Sequence, residues 1–286
     1  MNIDLHIHTQ ASDGEFSPIE IVNKALNSNL STIAITDHDT TEGLKEAIQY
    51  AQNKEIDIIP GIEINANVDK GKMHILGLYI DYENPKIQSF QKRLRENRNE
   101  RNKYFIKMFQ NEGINITIED VKKNASGDVI AKPHFAKTLY EKGYIKDIEE
   151  AYTNYFNREP FNIKRNKTPS PKEVINMIKE AKGIAVLAHP QSLKLEDEEL
   201  RNEIKELKSY GLDGIECFHS NHSLEEMKVF KKIAIENNLI MTKGSDYHGP
   251  NNNPEIKMGS GKNDNISKQN DSMLYKNLME FINNKD

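Results

Sequence analysis

A single cysteine, Cys217, stands in 286 residues. That excludes an internal disulfide framework, leaves any zinc-type site to histidine and carboxylate ligands, and makes a reducing cytoplasm the expected compartment. No apolar run approaches the ~18 residues that a membrane-spanning helix needs. The opening "MNIDLHIH" lacks the charged region, apolar stretch and small-residue cleavage site of a secretory leader and reads as a strand. Excess positive charge is missing too. With 39 basic against 44 acidic side chains the formal charge is −5, which argues against broad coating of nucleic acid, although a local basic cleft still suits a nucleotide or a strand end. The 36% hydrophobic and 29% charged residues that remain describe a globular protein with a small partner.

Short runs rich in Ile, Val and Leu recur at 3–7, 32–35, 56–59, 73–80, 184–188, 214–218 and 239–242. Helix-period segments lie between them. "SPIEIVNKALNSN" has Ser17 as N-cap, Pro18 at the first helical position and apolar Ile21, Val22, Ala25 and Leu26; "TPSPKEVINMIKEAKG" repeats that grammar from Ser170. Alternation of this kind predicts a parallel sheet or barrel, and about seven strands suit a barrel. The alternation breaks between residues 84 and 168, where one long helix and shorter helical pieces predict an insertion leaning over one end of the barrel. The domains expected are therefore a barrel of 1–83 and 169–286 and a helical, substrate-covering unit of 84–168.

In a strand, residues i and i+2 share a face, so His6 and His8 project together. Alone, such a pair reads equally well as two polar residues at a strand end. Its company decides: His38 follows strand two between Asp37 and Asp39, Glu63 follows strand three, His74 begins strand four, His189 follows strand five, and Asp246 and His248 follow the last. With Asp13 these make six imidazoles and three carboxylates at strand ends, where barrels of this type build their active sites. Such a donor set suits zinc, manganese or iron and is too large for one ion. Two or three ions are expected, able to clamp phosphate oxygens and to ionise water near neutral pH. Hydrolysis of a phosphoester follows.

The stretches "DLHIHTQASDG", "AITDHDT", "PGIEI", "HILGL", "AVLAHP" and "GSDYHG", in this order from residue 4 to residue 249, resemble the polymerase and histidinol phosphatase (PHP) superfamily of metal-dependent phosphoesterases. The resemblance implies a distorted seven-stranded (β/α) barrel and a trinuclear site held by His6, His8, Asp13, His38, Glu63, His74, His189, Asp246 and His248, Asp13 filling a slot that some members give to His. It implies manganese first, with zinc or iron(II) as alternatives. A sharing of His6, His8, Glu63 and Asp246 on one ion, Glu63, His74 and His189 on another, and Asp13, His38 and His248 on the third is expected. Within the superfamily the insertion is similar to that of the nucleoside 3',5'-bisphosphate phosphatases, some of which also trim short RNA from the 5' end. By that likeness "IAKPHFAKTLYEKGYI" puts Lys132, where Arg is more usual, and His134 on the substrate phosphate, and Lys164 is a further candidate.

Asp37 and Asp39 are expected to orient His38 and neighbouring imidazoles by accepting their other N–H. His219 and His222 in "CFHSNHS" also follow a strand and could reach the cleft, but with nine ligand positions already filled they read as ordinary polar loop residues. The run "KRLRENRNERNKYFIK" has seven basic residues against two acidic, usually a solvated face. Yet the stripe Phe90, Leu94, Asn97, Arg101, Tyr104, Met108 is polar in its middle, which aims Arg101 into the cleft to meet a second phosphate. The function expected is removal of the 3'-phosphate of a nucleoside 3',5'-bisphosphate. Alternatives are a 5'-3' exoribonuclease on short RNA, then hydrolysis of a cyclic phosphodiester or of histidinol phosphate. A non-catalytic metal-binding module would be expected to lose ligands, and a carbonyl amidohydrolase suits "TDHDT" and "SDYH" less well. No membrane or stable nucleic-acid partner is expected.

Overall fold

The computed structural model describes residues 1–125, 127–158, 161 and 167–284. Seven strands form one sheet in chain order: β1 (Ile3–Ile7), β2 (Thr32–Ile35), β3 (Asp57–Ala66), β4 (Met73–Leu78), β5 (Ile184–Leu187), β6 (Gly214–His219) and β7 (Ile240–Gly244). β1, β2 and β3 run parallel, as do β5, β6 and β7, while β4 is antiparallel to both neighbours. Beyond β7 the chain returns to β1, Asp246 N donating to His6 O at 2.9 Å and His8 N to Tyr247 O at 3.0 Å. The sheet is thus a nearly closed barrel, with every residue of β1, β2 and β5 buried, as strands covered on both faces must be.

The helices are α1 (Pro18–Asn27), α2 (Leu44–Ala51), α3 (Pro85–Asn111), α4 (Ile118–Lys122), α5 (Lys132–Glu141), α6 (Ile148–Ala151), α7 (Pro171–Glu180), α8 (Asp197–Ser209), α9 (Leu224–Glu236) and α10 (Asp271–Asn283). α1 starts where its sequence directs: Ser17 accepts from Glu20 N and Glu20 reaches back to Ser17 N, a reciprocal cap that contributes about 1 kcal/mol. Among the described residues no helix is long and apolar enough to cross a membrane. α3 has the length, but its polar residues exclude it.

α3 to α6 and a π-helical turn, Tyr152–Phe156, lie between β4 and β5. They enclose an apolar cluster of their own around Phe105, Phe109, Phe135, Phe156 and Phe161, whereas Ile87, Phe90 and Leu94 at the start of α3 join the barrel core. One helix therefore serves two cores. Its buried positions are Ile87, Phe90, Gln91, Leu94, Arg98, Asn102, Phe105 and Phe109, so the expected stripe through Asn97 and Arg101 shifts by one position. The polar residues turned inward between the cores are Arg98 and Asn102. β3 also differs from expectation, because pairing with β4 extends it to Ala66 and places Glu63 inside the strand.

Candidate metal centre

The nine expected residues converge at one mouth of the barrel. Parallel strands deliver theirs from C-terminal ends. His74 opens β4, but because β4 runs antiparallel its beginning lies at the same mouth, beside Asn65 of β3. Glu63 is central. Its Oε1 lies 2.7 Å from His74 Nδ1, 3.0 Å from His189 Nε2 and 3.5 Å from His6 Nε2; Oε2 lies 2.9 Å from His38 Nδ1 and 3.3 Å from His8 Nε2. Asp246 Oδ1 is 3.3 Å from His6 Nε2 and 3.2 Å from His8 Nε2. Asp13 reaches His248 Nε2 at 3.3 Å and His38 Nε2 at 3.9 Å.

Hydrogen bonds outside the cluster choose which nitrogen faces it. His6 Nδ1 contacts Glu216 Oε1 at 3.0 Å, His189 Nδ1 contacts Ser192 Oγ at 3.0 Å, and His248 Nδ1–H donates to Asp246 O at 2.9 Å. The inward atoms are left unpaired among the described residues: His6 Nε2, His8 Nε2, His38 Nδ1, Asp13 Oδ1, Glu63 Oε2 and Asp246 Oδ1 are buried there with no hydrogen-bond partner. Orphaned buried polar atoms cost roughly 1–3 kcal/mol each. Divalent cations would satisfy all six, and four sets drawn from the nine residues bring ligand atoms within 4.8 Å of one another: His6, His8 and Asp246; His6, Glu63 and His189; His38, Glu63 and His74; His8, Asp13, His38 and His248. The donor set fits metal.

Backbone geometry is specialised here as well. Asp39 (φ 57°), His189 (φ 25°) and Asp246 (φ 57°) adopt left-handed conformations that cost non-glycine residues free energy and collect at functional sites. Gly244 is required for space, since a Cβ there would strike Glu216 Oε1 and His6 Cβ.

The two flanking aspartates take partners other than those expected. Asp37 accepts from Thr9 N (2.8 Å), Thr9 Oγ1 (2.6 Å) and Ser12 Oγ (2.5 Å). It pins the β1–α1 loop that carries Asp13, and it approaches an imidazole through Ser12, whose Oγ lies 3.5 Å from His8 Nδ1. Asp39 pairs with the Arg98 guanidinium instead of a histidine. The left-handed backbone at Asp39 accompanies this turn toward α3.

Three buried residues escaped the sequence reading. Glu216, wholly buried in β6, accepts from His189 N at 2.8 Å besides holding His6. A lone acid inside the apolar run "GIECFH" was the available signal, because a buried carboxylate must have a strong partner. His219, expected in a polar loop, ends β6 with 1% exposure, and His222 is 3% exposed. Neither is an ordinary surface histidine.

His134 is buried at the start of α5, near enough to Asp13, Arg98 and His248 to feel their charges; burial pushes its pKa down. Ala131 N–H donates to its Nδ1 at 3.1 Å, so the neutral ring carries its proton on Nε2. Lys132, expected on substrate phosphate, donates to Phe156 O at 3.3 Å and lies over the Phe156 ring. Arg101 is half-buried, contacting Asn102 Oδ1 at 2.8 Å. With Arg98, Tyr104, Asn65, Asp39 and Pro169 it lines a cavity of about 250 Å³. Lys164 lies outside the described residues.

Comparison with known proteins agrees with this geometry. The PHP domain model matches residues 4–211, and the chain belongs to that family. It is 30% identical to a 3',5'-nucleoside bisphosphate phosphatase of Chromobacterium violaceum over 87% of this chain and 88% of the relative. It is also 30% identical to the 5'-3' exoribonuclease Rnm of Escherichia coli, over 90% and 87%. A crystal structure from Bifidobacterium adolescentis, provisionally assigned as a metal-dependent phosphoesterase, superimposes with a TM-score of 0.78 at 29% identity, covering 91% of both chains. The protein is a metal-dependent hydrolase of phosphate esters.

Proposed function

We propose that the protein removes the 3'-phosphate of nucleoside 3',5'-bisphosphates, leaving the 5'-monophosphate. The observation that carries this reading is the cavity lined by Arg98 and Arg101, whose wall also holds Asp39, next to His38 in the chain, and Asn65, paired with His74 across the sheet: one phosphate would sit in the cradle and the other meet a guanidinium. The nucleoside bisphosphate phosphatase of Chromobacterium violaceum supports it by similarity. His6, His8, Asp13, His38, Glu63, His74, His189, Asp246 and His248 would hold two to three ions, manganese foremost. Bound ions would supply Lewis acidity and ionise the attacking water.

The chain's own residues do the rest. His134 donates its Nε2–H to a phosphate oxygen as a neutral imidazole, because protonating Nδ1 would break its bond to Ala131 N–H. Lys132, seated on the Phe156 carbonyl, adds positive potential at the rim, and the helical segment 84–168 covers the substrate and excludes water. A second reading, 5'-3' exoribonuclease on short RNA, is favoured by a groove of about 620 Å³ on the outer face of α3, where Lys92, Arg95 and Lys122 offer further phosphate contacts.

The test is phosphate release from manganese-loaded protein, offered 3',5'-bisphosphates, 5'-phosphorylated short RNA, a cyclic phosphate and histidinol phosphate. Preferred turnover of the bisphosphate is expected, with Arg101→Ala raising its KM at least tenfold. Turnover of none by fully loaded protein sinks the catalytic reading, and preference for RNA selects the second. Asp13→Ala is expected to lower metal content, and His134→Ala only turnover.

A further inference from the structure

We propose that His219 is the hydrogen-bond donor that fixes the Asp246 carboxylate for metal binding, a positioning residue and not an additional ligand. This rests on reading Asp246 as a ligand.

By distance alone His219 qualifies as a ligand, since its ring nitrogen joins His6 and Glu216 in a set close enough to hold an ion. Its hydrogen bonds decide otherwise. Asn221 N–H donates to His219 Nδ1 at 3.1 Å, a bond only a lone pair can accept, so the neutral ring carries its proton on Nε2. A protonated nitrogen has no lone pair for a metal. That Nε2, buried and like Asp246 Oδ1 without a hydrogen-bond partner among the described residues, faces Asp246 Oδ2 at 3.5 Å, so that a small rotation of the ring or the carboxylate makes the bond, while Oδ1 of the same carboxylate faces His6 and His8. One oxygen has an unspent donor behind it and the other is left for the cradle.

The turn that presents Asn221 N–H is itself pinned. Asn265 Nδ2 donates to the carbonyls of His219, Ser220 and His222 at 3.2, 3.0 and 3.2 Å. Ser220 Oγ donates to Ser245 O at 2.6 Å, tying the turn to the residue before Asp246. Asp246 itself holds a left-handed backbone, a conformation that persists only where the surrounding structure holds it, and the pinned turn is part of that surrounding structure.

The experiment titrates manganese into metal-stripped full-length protein and reads stoichiometry and affinity separately. His219→Leu should keep the number of ions and weaken binding by roughly 10–100-fold. His219→Gln, whose amide nitrogen falls near the position of Nε2, should restore most of it. In an Asp246→Ala background His219→Leu should add nothing. Loss of a whole ion without rescue by Gln makes His219 a ligand and overturns the proposal; unchanged affinity in His219→Leu overturns it as well. If Asp246→Ala itself leaves binding intact, the assignment of Asp246 as a ligand fails and carries this proposal with it. Nitrogen NMR of wild-type protein loaded with zinc gives a check free of folding defects: the His219 Nε2–H tautomer should persist, and its loss on zinc binding refutes the donor role.

Discussion

Five imidazoles lie within 3.5 Å of the two oxygens of Glu63, and this crowding sets the proton inventory of the metal-free site. Burial alone would lower the pKa of His8, but Asp246 and Glu63 outweigh it and raise it to about 10. Against the same burial, His6 is raised by Glu216, Asp246 and Glu63, His189 by Glu63 and Asp246, and His248 by Asp13 and Asp246. Burial, with His189 and His38 nearby, pushes His74 down to about 4. Asp13, Glu63 and Asp246 sit well below the usual carboxylate range despite their burial, because the histidines around them favour the charged form. The sign follows directly. Histidines with raised pKa hold protons at neutral pH that a metal must displace, whereas the acids are already ionised and add no dependence there. Manganese affinity should therefore climb as pH rises from 6 toward about 10, with net proton release at pH 7.5. Calorimetry in two buffers of different ionisation enthalpy measures that release, and a pH-independent affinity would contradict the electrostatics. Gly244→Ala offers a steric check. Its Cβ displaces Glu216 from His6, so metal affinity should fall at least tenfold while the helical content by circular dichroism stays native.

At the scale of elements, α3 is the informative case. Its period was legible in the sequence and its partner was not. A polar middle in the stripe signalled a cleft, but the seam is shared by two apolar clusters that no local pattern announces, and Arg98, not Arg101, faces inward. β4 was legible as a strand with His74 at its start; that it runs antiparallel, and so brings His74 to the same mouth as the ends of its neighbours, depends on long-range pairing. Most of the cradle residues were readable because they stand at or just beyond strand ends beside turn residues, whereas Glu63 lies inside β3 and Asp13 in the loop after β1. Glu216 hid within a strand, and His219 was set aside because the nine ligand positions were already filled. The Arg98 and Asp39 pair is the element-level prediction. Both side chains are under a tenth exposed, so Arg98→Met strands a buried carboxylate and should cost about 3–5 kcal/mol in urea unfolding. Asp39→Asn with Arg98→Met should recover part of that loss, and equal destabilisation by single and double variants would show that the pair is not coupled.

Over the whole molecule, the cradle draws on chain positions from His6 to His248, so closing it requires β1 to meet the segment after β7. Two devices hold that seam without metal. Asp4, buried in β1, accepts from Ser245 N at 2.8 Å and Gly259 N at 2.6 Å. Lys243 of β7, 2% exposed, pairs with Asp271 at the start of α10 at 2.8 Å, and the same aspartate accepts from Ile3 N at 2.9 Å. The barrel should consequently fold without ions and gain stability when they bind, because a ligand bound only by the native state adds RT ln(1 + [L]/Kd), about 2.7 kcal/mol at a hundredfold excess over Kd. For a domain of this size each kcal/mol raises Tm by roughly 2–4 °C, so one ion is worth about 5–10 °C. Stripping with a chelator should lower Tm by at least that much while leaving a cooperative transition, and adding manganese back should restore it. Asp13→Ala should shrink the gap between stripped and loaded protein without moving the Tm of the stripped form by a comparable amount. A gap of full size in Asp13→Ala would remove Asp13 from the metal set, and a stripped wild-type protein with no cooperative transition would show that the seam depends on metal and not on Asp4, Lys243 and Asp271.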